Sequence, residues 1–307
     1  MGTVKIIFGT LFLIVVAGLL SFYWLFPFSP SQFTARGPID SNFSLSNATE
    51  VQMQFYPNMR YPSPNISYTL DTSACSLQRQ QDIKTAMSLL ENETVLRFYS
   101  ADSNPEINIS CSNNIVVNKN YFVAGEGGPV NITETQDFNV ITKGEVLLLR
   151  GNTCPFPNVA LHELLHSLGF AHSQNPNNVM YPVTGCDQTL GQDIPDLINK
   201  LYSVPSLPDL SFENASAIMQ GRYLDATVNI INNGLQPSGA STLVISADNA
   251  TLREEPLKPI GIGEGMTLVF QNIWVPNLNV NEVEFSLKTN FSEIQSGNNE
   301  IRLELNP

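Results

Sequence analysis

Residues 162–172 read His-Glu-Leu-Leu-His-Ser-Leu-Gly-Phe-Ala-His, and they contain all three histidines of the 307-residue chain. Residues four apart lie on the same face of an α-helix, so the imidazoles of His162 and His166 can reach one metal ion. Gly169 can adopt the left-handed conformation that ends a helix, which lets the chain turn and bring His172 towards the same ion. The spacing therefore predicts a metal site with three imidazole ligands.

Glu163 follows the first of these histidines and lies off the apolar stripe of the predicted helix. Its carboxylate can accept a proton from a water molecule at the metal site. Three nitrogen ligands also leave the fourth tetrahedral position of Zn²⁺ open, which is typical of a catalytic rather than a structural zinc site. We therefore expect one catalytic Zn²⁺ held by the three histidines, with Glu163 as the general base.

The complete motif resembles that of the metzincin metallopeptidases, and it is most similar to their matrixin branch, the relatives of the matrix metalloproteinases. Ser173 follows the third histidine as it does in matrixins, and Asn178-Val179-Met180-Tyr181-Pro182 is similar to their Met-turn. The resemblance implies that Met180 lies beneath the zinc as a hydrophobic base. It also implies that Tyr181 and Pro182 line the pocket for the substrate residue just after the cut bond.

The resemblance implies a zinc-dependent metalloendopeptidase that cleaves protein or peptide substrates with a zinc-activated water. Residues 121–129 would then be the edge strand that pairs with an extended peptide, although a plain surface loop is the alternative. A rival from another class is a catalytically inactive surface adhesion or binding protein on the same scaffold, but neither a histidine ligand nor Glu163 is missing. No acidic cluster reproduces the calcium sites of the family, so calcium binding stays open.

The composition narrows the choice of partners. Hydrophobic residues make up 42% of the chain and charged residues 14%, as expected of a folded protein. The formal net charge of -13 comes from 28 acidic and 15 basic residues, and it would repel a phosphate backbone. Nucleic acid is therefore not an expected partner.

The N-terminal region carries a membrane signal. Residues 6–28 contain no charged side chain and are long enough for a helix that spans a hydrocarbon core of roughly 30 Å. Lys5 in the short tip, residues 1–5, favours a cytoplasmic N-terminus. We therefore expect a single-pass anchor in the cell membrane with the rest outside, a cleaved and secreted form being the alternative. Residues 29–61 are rich in Ser, Asn and Pro and predict a flexible stem.

Two further features agree with export to an oxidising compartment. The chain has four cysteines, an even number, which predicts two disulfides. Cys154 and Cys186 flank the zinc helix and the Met-turn, and Cys75 with Cys111 would join the first helix to a strand, but all three pairings of the four remain open. Nine Asn-x-Ser/Thr sequons predict a glycoprotein. The sequons begin at Asn42, Asn47, Asn65, Asn92, Asn108, Asn131, Asn214, Asn249 and Asn290.

The remaining patterns predict two domains. Residues 62–203 read as an α+β, metzincin-like domain with a mixed twisted sheet. Its strands are expected at residues 66–70, 95–99, 107–111, 121–124 and 146–149, and its helices at 73–91, 158–168 and 194–202. Prolines mark a linker at residues 204–209. Residues 210–307 alternate apolar and polar positions with period two, which predicts an antiparallel β-sandwich that resembles Ig-like, adhesion-related domains.

Overall fold

The computed structural model describes residues 9, 11–18, 31–35, 53–114, 116–118, 121–149 and 154–305. The strands of these residues are β1 (Ser31–Ala35), β2 (Met59–Arg60), β3 (Asn65–Leu70), β4 (Arg97–Ser100), β5 (Ile107–Cys111), β6 (Val117–Asn118), β7 (Tyr121–Phe122), β8 (Gly125–Glu134), β9 (Asn139–Leu148), β10 (Leu210–Gln220), β11 (Tyr223–Asn232), β12 (Ser241–Ala247), β13 (Ala250–Leu257), β14 (Gly265–Trp274), β15 (Glu282–Thr289) and β16 (Glu300–Leu305). The helices are α1 (Leu77–Glu93), α2 (Asn158–Ser167) and α3 (Asp193–Leu201).

The first domain is built on a six-stranded mixed sheet. Its path is β2-β9-β5-β3-β4, and every pair along that path is parallel. β8 pairs antiparallel with β9 and forms an edge of the sheet. One apolar core joins this sheet to α1, α2 and α3. The predicted α+β fold with a mixed sheet agrees with this arrangement.

Helix α1 begins four residues after its predicted start at residue 73. The Asp71 carboxylate accepts hydrogen bonds from the backbone N–H groups of Ser73 and Ala74, and this turn competes with the helix. Ser76 is the N-cap, with its hydroxyl oxygen accepting from the N–H of Arg79. The predicted apolar face is buried and packs on α2. That face consists of Ile83, Ala86, Met87 and Leu90.

The predicted strand at residues 121–124 is only partly correct. Tyr121–Phe122 pairs with Val117–Asn118 in a separate two-stranded ladder. The edge strand of the main sheet begins at Gly125 and runs on to Glu134. Gly125 and Gly127 predicted the end of a strand, but both lie inside β8. They are needed there because the backbone of β8 lies so close to Glu163 of helix α2 that a side chain would not fit.

The prediction of a flexible stem over residues 29–61 is wrong for the parts that the structure describes. Ser31–Ala35 forms strand β1, which lies between β10 and β16 of the second domain, and Phe33 is buried there. Residues 53–61 pack on the first domain. The Gln54 side-chain amide donates a hydrogen bond to the carbonyl oxygen of Met59 and accepts one from its N–H, and Tyr61 is fully buried. The first domain therefore starts before residue 62.

The second domain is all-β, as its period-two pattern predicts. Its eight strands follow the order β13-β12-β15-β16-β1-β10-β11-β14, and all pairs are antiparallel. Side chains from both ends of this path share one apolar core, so the sheet closes over itself as in a sandwich. An Ig-like sandwich is compatible with this arrangement.

Arg60 joins the end of the first domain to the linker. Its buried guanidinium donates hydrogen bonds to the carbonyl oxygens of Leu201 and Val204 and to the hydroxyl of Ser206. Burial lowers the pKa of Arg60 to about 10, so the group remains charged at neutral pH. The two domains also share a small apolar cluster. Its buried members are Phe138, Val140, Val204 and Leu235.

The predicted membrane anchor, residues 6–28, lies mostly outside the described residues, and the tip at residues 1–5 lies entirely outside them. Residues 9 and 11–18 are helical. Among the helices of the described part of the chain, none is long and apolar enough to cross a membrane.

Candidate metal centre

The three predicted ligands converge on one point. His162 and His166 lie one turn apart on α2, and His172 returns to them after Gly169, whose φ of 94° ends the helix. The Nε2 atom of His166 lies 3.0 Å from that of His162 and 3.1 Å from that of His172. Nitrogen ligands of a tetrahedral zinc with bonds of about 2.0–2.1 Å are about 3.3 Å apart. The donor set therefore fits a zinc ion.

Backbone carbonyl groups fix the orientation of two of these rings. The Nδ1 atom of His162 lies 2.6 Å from the carbonyl oxygen of Val179, and that of His166 lies 2.7 Å from the carbonyl oxygen of Phe170. An N–H at Nδ1 that donates to a carbonyl leaves the Nε2 lone pair free for a metal. This arrangement is typical of metal-binding histidines.

The surroundings also favour neutral imidazoles, which are the form that binds metals. Burial, followed by the effect of His162, lowers the pKa of His166 to about 4. Burial likewise lowers the pKa values of His162 and His172. At neutral pH all three rings are therefore available as ligands without the loss of a proton.

Glu163 lies on the same helix turn and is 6% exposed. Burial, and next the carboxylate of Glu126 on β8, raise its pKa to about 8. A divalent cation held by the histidines would act in the opposite direction and favour the carboxylate. The position of Glu163 thus combines low solvent exposure with proximity to the metal ligands, which is how active sites tune proton acceptors.

Two glycines of β8 allow this strand to lie directly against α2. A Cβ atom at Gly125 would lie 2.6 Å from the Glu163 Cγ atom, and one at Gly127 would collide with the Glu163 carbonyl group. Any side chain at these positions would displace the strand or the carboxylate. The sequence shows the glycines, but their role could not be read from it because the contact joins two distant segments.

The Met-turn lies next to His172. Met180 is 1% exposed, its N–H donates to the side-chain oxygen of Asn178, and its carbonyl accepts from the N–H of Ser173. Met180 and His172 both line a cavity of about 440 Å³. Tyr181 is half-buried and Pro182 exposed, and neither belongs to the lining of this cavity. Their role in a substrate pocket remains a prediction.

Two disulfides support this arrangement. Cys154–Cys186 joins the segment before α2 to the loop after the Met-turn, and Cys75–Cys111 joins the segment before α1 to β5. Of the three ways to pair the four cysteines that the sequence left open, the structure contains this one. The Asn158 side chain also donates to the carbonyl of Gly185, so the Met-turn loop is tied to α2 at two points.

The mixed sheet, the two histidines on one helix and the third histidine after a glycine are compatible with a metallopeptidase-like domain. In agreement, residues 60–203 match the family model of matrixin, Peptidase_M10. The chain thus contains a matrixin-like domain, and this family implies zinc and peptide substrates.

No curated protein matches the chain. Among solved structures it is similar to the CARDB domain of the PF1109 protein from Pyrococcus furiosus, determined in complex with di-metal ions. The identity is 14% and the TM-score 0.28, and the match covers 32% of this chain and 88% of that one.

Proposed function

We propose that the matrixin-like domain is a zinc-dependent endopeptidase that hydrolyses peptide bonds in protein substrates. One observation carries this proposal: a buried carboxylate, Glu163, stands beside three imidazoles whose Nε2 atoms converge. A purely structural metal site would have no use for such a carboxylate or for an open ligand position.

Each residue of the site has a distinct task in this reaction. Zn²⁺ held by the three Nε2 atoms would supply a Lewis acid that polarises the scissile carbonyl and makes water more acidic. Glu163 accepts a proton from the attacking water and later donates it to the leaving amine. The carbonyl groups of Val179 and Phe170 keep His162 and His166 in the orientation that binding requires.

Strand β8 supports an extended substrate. It pairs with β9 on one side only, and no other strand of the described residues pairs with its outer edge. Its residues Gly125 and Gly127 lie against Glu163, so a peptide paired to this edge passes close to the general base. A non-peptide substrate would have no need of such an edge.

The test compares cleavage of a mixed library of quenched fluorescent peptides by the full-length protein and by its Glu163→Ala variant. We expect cleavage that a zinc chelator stops and added Zn²⁺ restores. The variant should lose at least about a hundredfold in kcat/KM, because general-base catalysis contributes on this order. Glu93→Ala, at an exposed position of α1, is the matched control and should keep its activity.

Two results would contradict the proposal in different ways. Normal activity of Glu163→Ala would show that another group acts as the base. A protein that binds one zinc ion per chain but cleaves none of the peptides would favour an inactive adhesion or binding protein on the same scaffold.

We further propose that residues 6–28 anchor the protein in the cell membrane, with both domains outside. The uncharged run, the disulfides and the sequons support this placement. In its native cells the protein should pellet with membranes and resist extraction by alkaline carbonate. Recovery of the intact chain from the soluble cytoplasmic fraction would contradict the anchor.

A further inference from the structure

One end of the second domain presents large apolar side chains to solvent. Tyr223 of β11 and Trp274 of β14 are paired across the two strands, and they are 50% and 56% exposed. The next pair inward, Leu224 and Ile273, is buried, so both aromatic rings lie on the outer face of the sheet. Leu278, in the loop after β14, is 53% exposed. Three large apolar side chains are thus available to a partner at this end.

The turn and the loop that carry these side chains are joined to each other. The N–H of Val275 donates to the carbonyl of Arg222, and the Arg222 guanidinium donates to the carbonyl of Pro276. The two segments, residues 220–223 and 273–281, form the apolar end of the second domain. Arg222 is their only charged side chain, although the whole chain has 28 acidic residues. Exposed aromatic groups beside a positive charge are typical of surfaces that bind lipid headgroups.

Strand β1 brings the proposed membrane anchor to the same end. Its first residue, Ser31, pairs with Met219, which is one residue from the end of β10. In the register of β10, β11 and β14, the next row outward contains Tyr223 and Trp274. Only two residues separate Ser31 from the uncharged run at 6–28. An extended residue spans at most about 3.6 Å, so residue 28 lies no more than about 11 Å from Ser31.

A bilayer that holds residues 6–28 is therefore within reach of the apolar end. The headgroup region is about 5–8 Å thick on each side of the hydrocarbon core, which is comparable with the span of the connecting residues. β1 and β14 are separated by two strands, and neighbouring strands lie about 4.8 Å apart. Trp274 thus lies about 15 Å to the side of the point where the chain leaves the membrane.

The first domain contacts the opposite end of these strands. β10 begins at Leu210, beside the linker, and the N–H of Gln136 donates to the Asn233 side chain near that end. The eleven residues of β10 place this contact about 35 Å from the apolar end. The hairpin of β12 and β13 is close to the apolar end, but it carries Asp248, which accepts from the N–H of Asn281. A lipid contact is therefore favoured on the side of β11 and β14.

We propose that the apolar end lies on the outer leaflet of the membrane that holds the anchor, with Tyr223, Trp274 and Leu278 at headgroup level and Arg222 beside the lipid phosphates. This inference rests on the proposed anchor. Tyrosine and tryptophan are enriched at this level because the ring is apolar while its O–H or N–H contacts water. The anchor and the apolar end give the second domain two points of contact with lipid, and the first domain is held away from the bilayer.

The experiment uses tryptophan fluorescence of the full-length chain. Trp24 and Trp274 are its two tryptophans, so the Trp24→Phe variant leaves Trp274 as the single reporter. The variant is reconstituted into vesicles of phosphatidylcholine and phosphatidylglycerol whose acyl chains carry bromine either near the headgroups or near the bilayer centre. We expect blue-shifted emission, most of which is lost to the shallow bromine atoms and less to the deep ones. Emission typical of tryptophan in water, without quenching, would overturn the proposal.

Two further variants of this reporter chain test whether the contact depends on the apolar end. Tyr223→Ser combined with Leu278→Ser should restore most of the Trp274 emission, because two of the three apolar groups that bind lipid are removed. Val269→Ser is the matched control, since Val269 is also exposed on β14 but lies five residues from Trp274. It should leave the quenching unchanged. Thermal midpoints equal to that of the reporter chain show that these exposed substitutions do not disturb folding.

Extraction with alkaline carbonate distinguishes this inference from the proposed anchor. A chain that stays with the vesicles but whose Trp274 is not quenched would overturn the lipid contact alone. Quenching in a chain that carbonate removes would support the lipid contact and overturn the anchor. A chain that neither stays with the vesicles nor shows quenching would overturn both. Quenching that persists after Tyr223→Ser and Leu278→Ser would also overturn the lipid contact.

Discussion

Single residues set the spacing between β8 and the helix that carries the metal ligands. Gly127 lies against the backbone of Glu163, and a methyl group there has no flexible neighbour that could move aside. We expect Gly127→Ala to lower the free energy of unfolding by about 1 to 3 kcal/mol, as overpacking does. The thermal midpoint and the peptide-cleavage rate should therefore both fall.

Gly128→Ala is the matched control for this variant, because the space around a Cβ atom at Gly128 is open. Its thermal midpoint should equal that of the unaltered protein or rise slightly, since alanine restricts the unfolded chain more than glycine does. Equal stability of the Gly127→Ala and Gly128→Ala proteins would contradict the close contact between strand and helix.

The raised pKa of the buried residue Asp209 predicts how the stability of the folded protein depends on pH. Asp209 is 4% exposed, and burial is the main reason that its pKa rises from 3.8 to about 6, while the hydrogen bond from Asn298 opposes the shift. The folded protein therefore binds this proton more tightly than the unfolded chain does. By linkage, ionisation of Asp209 costs stability as the pH rises from about 4 to about 6, and the full cost persists above that range.

We expect Asp209→Asn, which keeps an oxygen acceptor for Asn298, to be more stable than the unaltered protein at pH 7.5. The gain should be about 1 kcal/mol and should vanish near pH 4, where the carboxyl group is neutral in both states. Calorimetric midpoints at the two pH values measure it. A difference that is the same at both would show that the effect of the substitution is not ionic.

At the scale of elements, sequence patterns predicted the helices and strands whose positions depend on interactions between residues close together in the chain. The periodicity predicted the positions of α2 and β5 correctly, because the apolar residues of each buried face lie within one short stretch of sequence. The start of α1 was predicted too early, since the Asp71 turn competes with the helix. The pattern ended a strand at residue 124, and the resemblance implied an edge strand at residues 121–129, whereas β8 runs from Gly125 to Glu134. Its glycines lie inside the strand because they act through contacts with α2, which no local pattern reveals.

The two disulfides join elements of different importance for the metal centre. Cys154–Cys186 constrains the loop that follows the Met-turn, whereas Cys75–Cys111 joins the segment before α1 to β5. Replacing either pair with serines should cost about 3 kcal/mol of stability. Only the loss of Cys154–Cys186 should speed the release of zinc to a competing chelator. Equal release rates from both double variants would contradict this assignment.

At the scale of the whole molecule, strand β1 precedes the first domain in sequence but completes the sheet of the second domain. No local signal predicted β1, because its partners β10 and β16 lie far along the chain and the decisive contact is the burial of Phe33. The matrixin-like domain is thus inserted between two neighbouring strands of the β domain.

Phe33→Ala in the full-length chain tests this connection. We expect a loss of about 3 kcal/mol in the stability of the second domain, because a buried aromatic side chain is removed. Hydrogen exchange should become faster in β10 and β16, while exchange in α2 should stay the same. Unchanged exchange in β10 and β16 would show that β1 does not belong to this sheet in solution.

The central claim is that three imidazoles hold one zinc ion beside Glu163. Zinc analysis combined with X-ray absorption of the purified full-length protein tests it most directly. We predict one zinc per chain with three nitrogen ligands at about 2.0–2.1 Å, and loss of that zinc in His166→Ala. A protein without stoichiometric zinc, or a zinc ion that His166→Ala retains with unchanged ligands, would contradict the account.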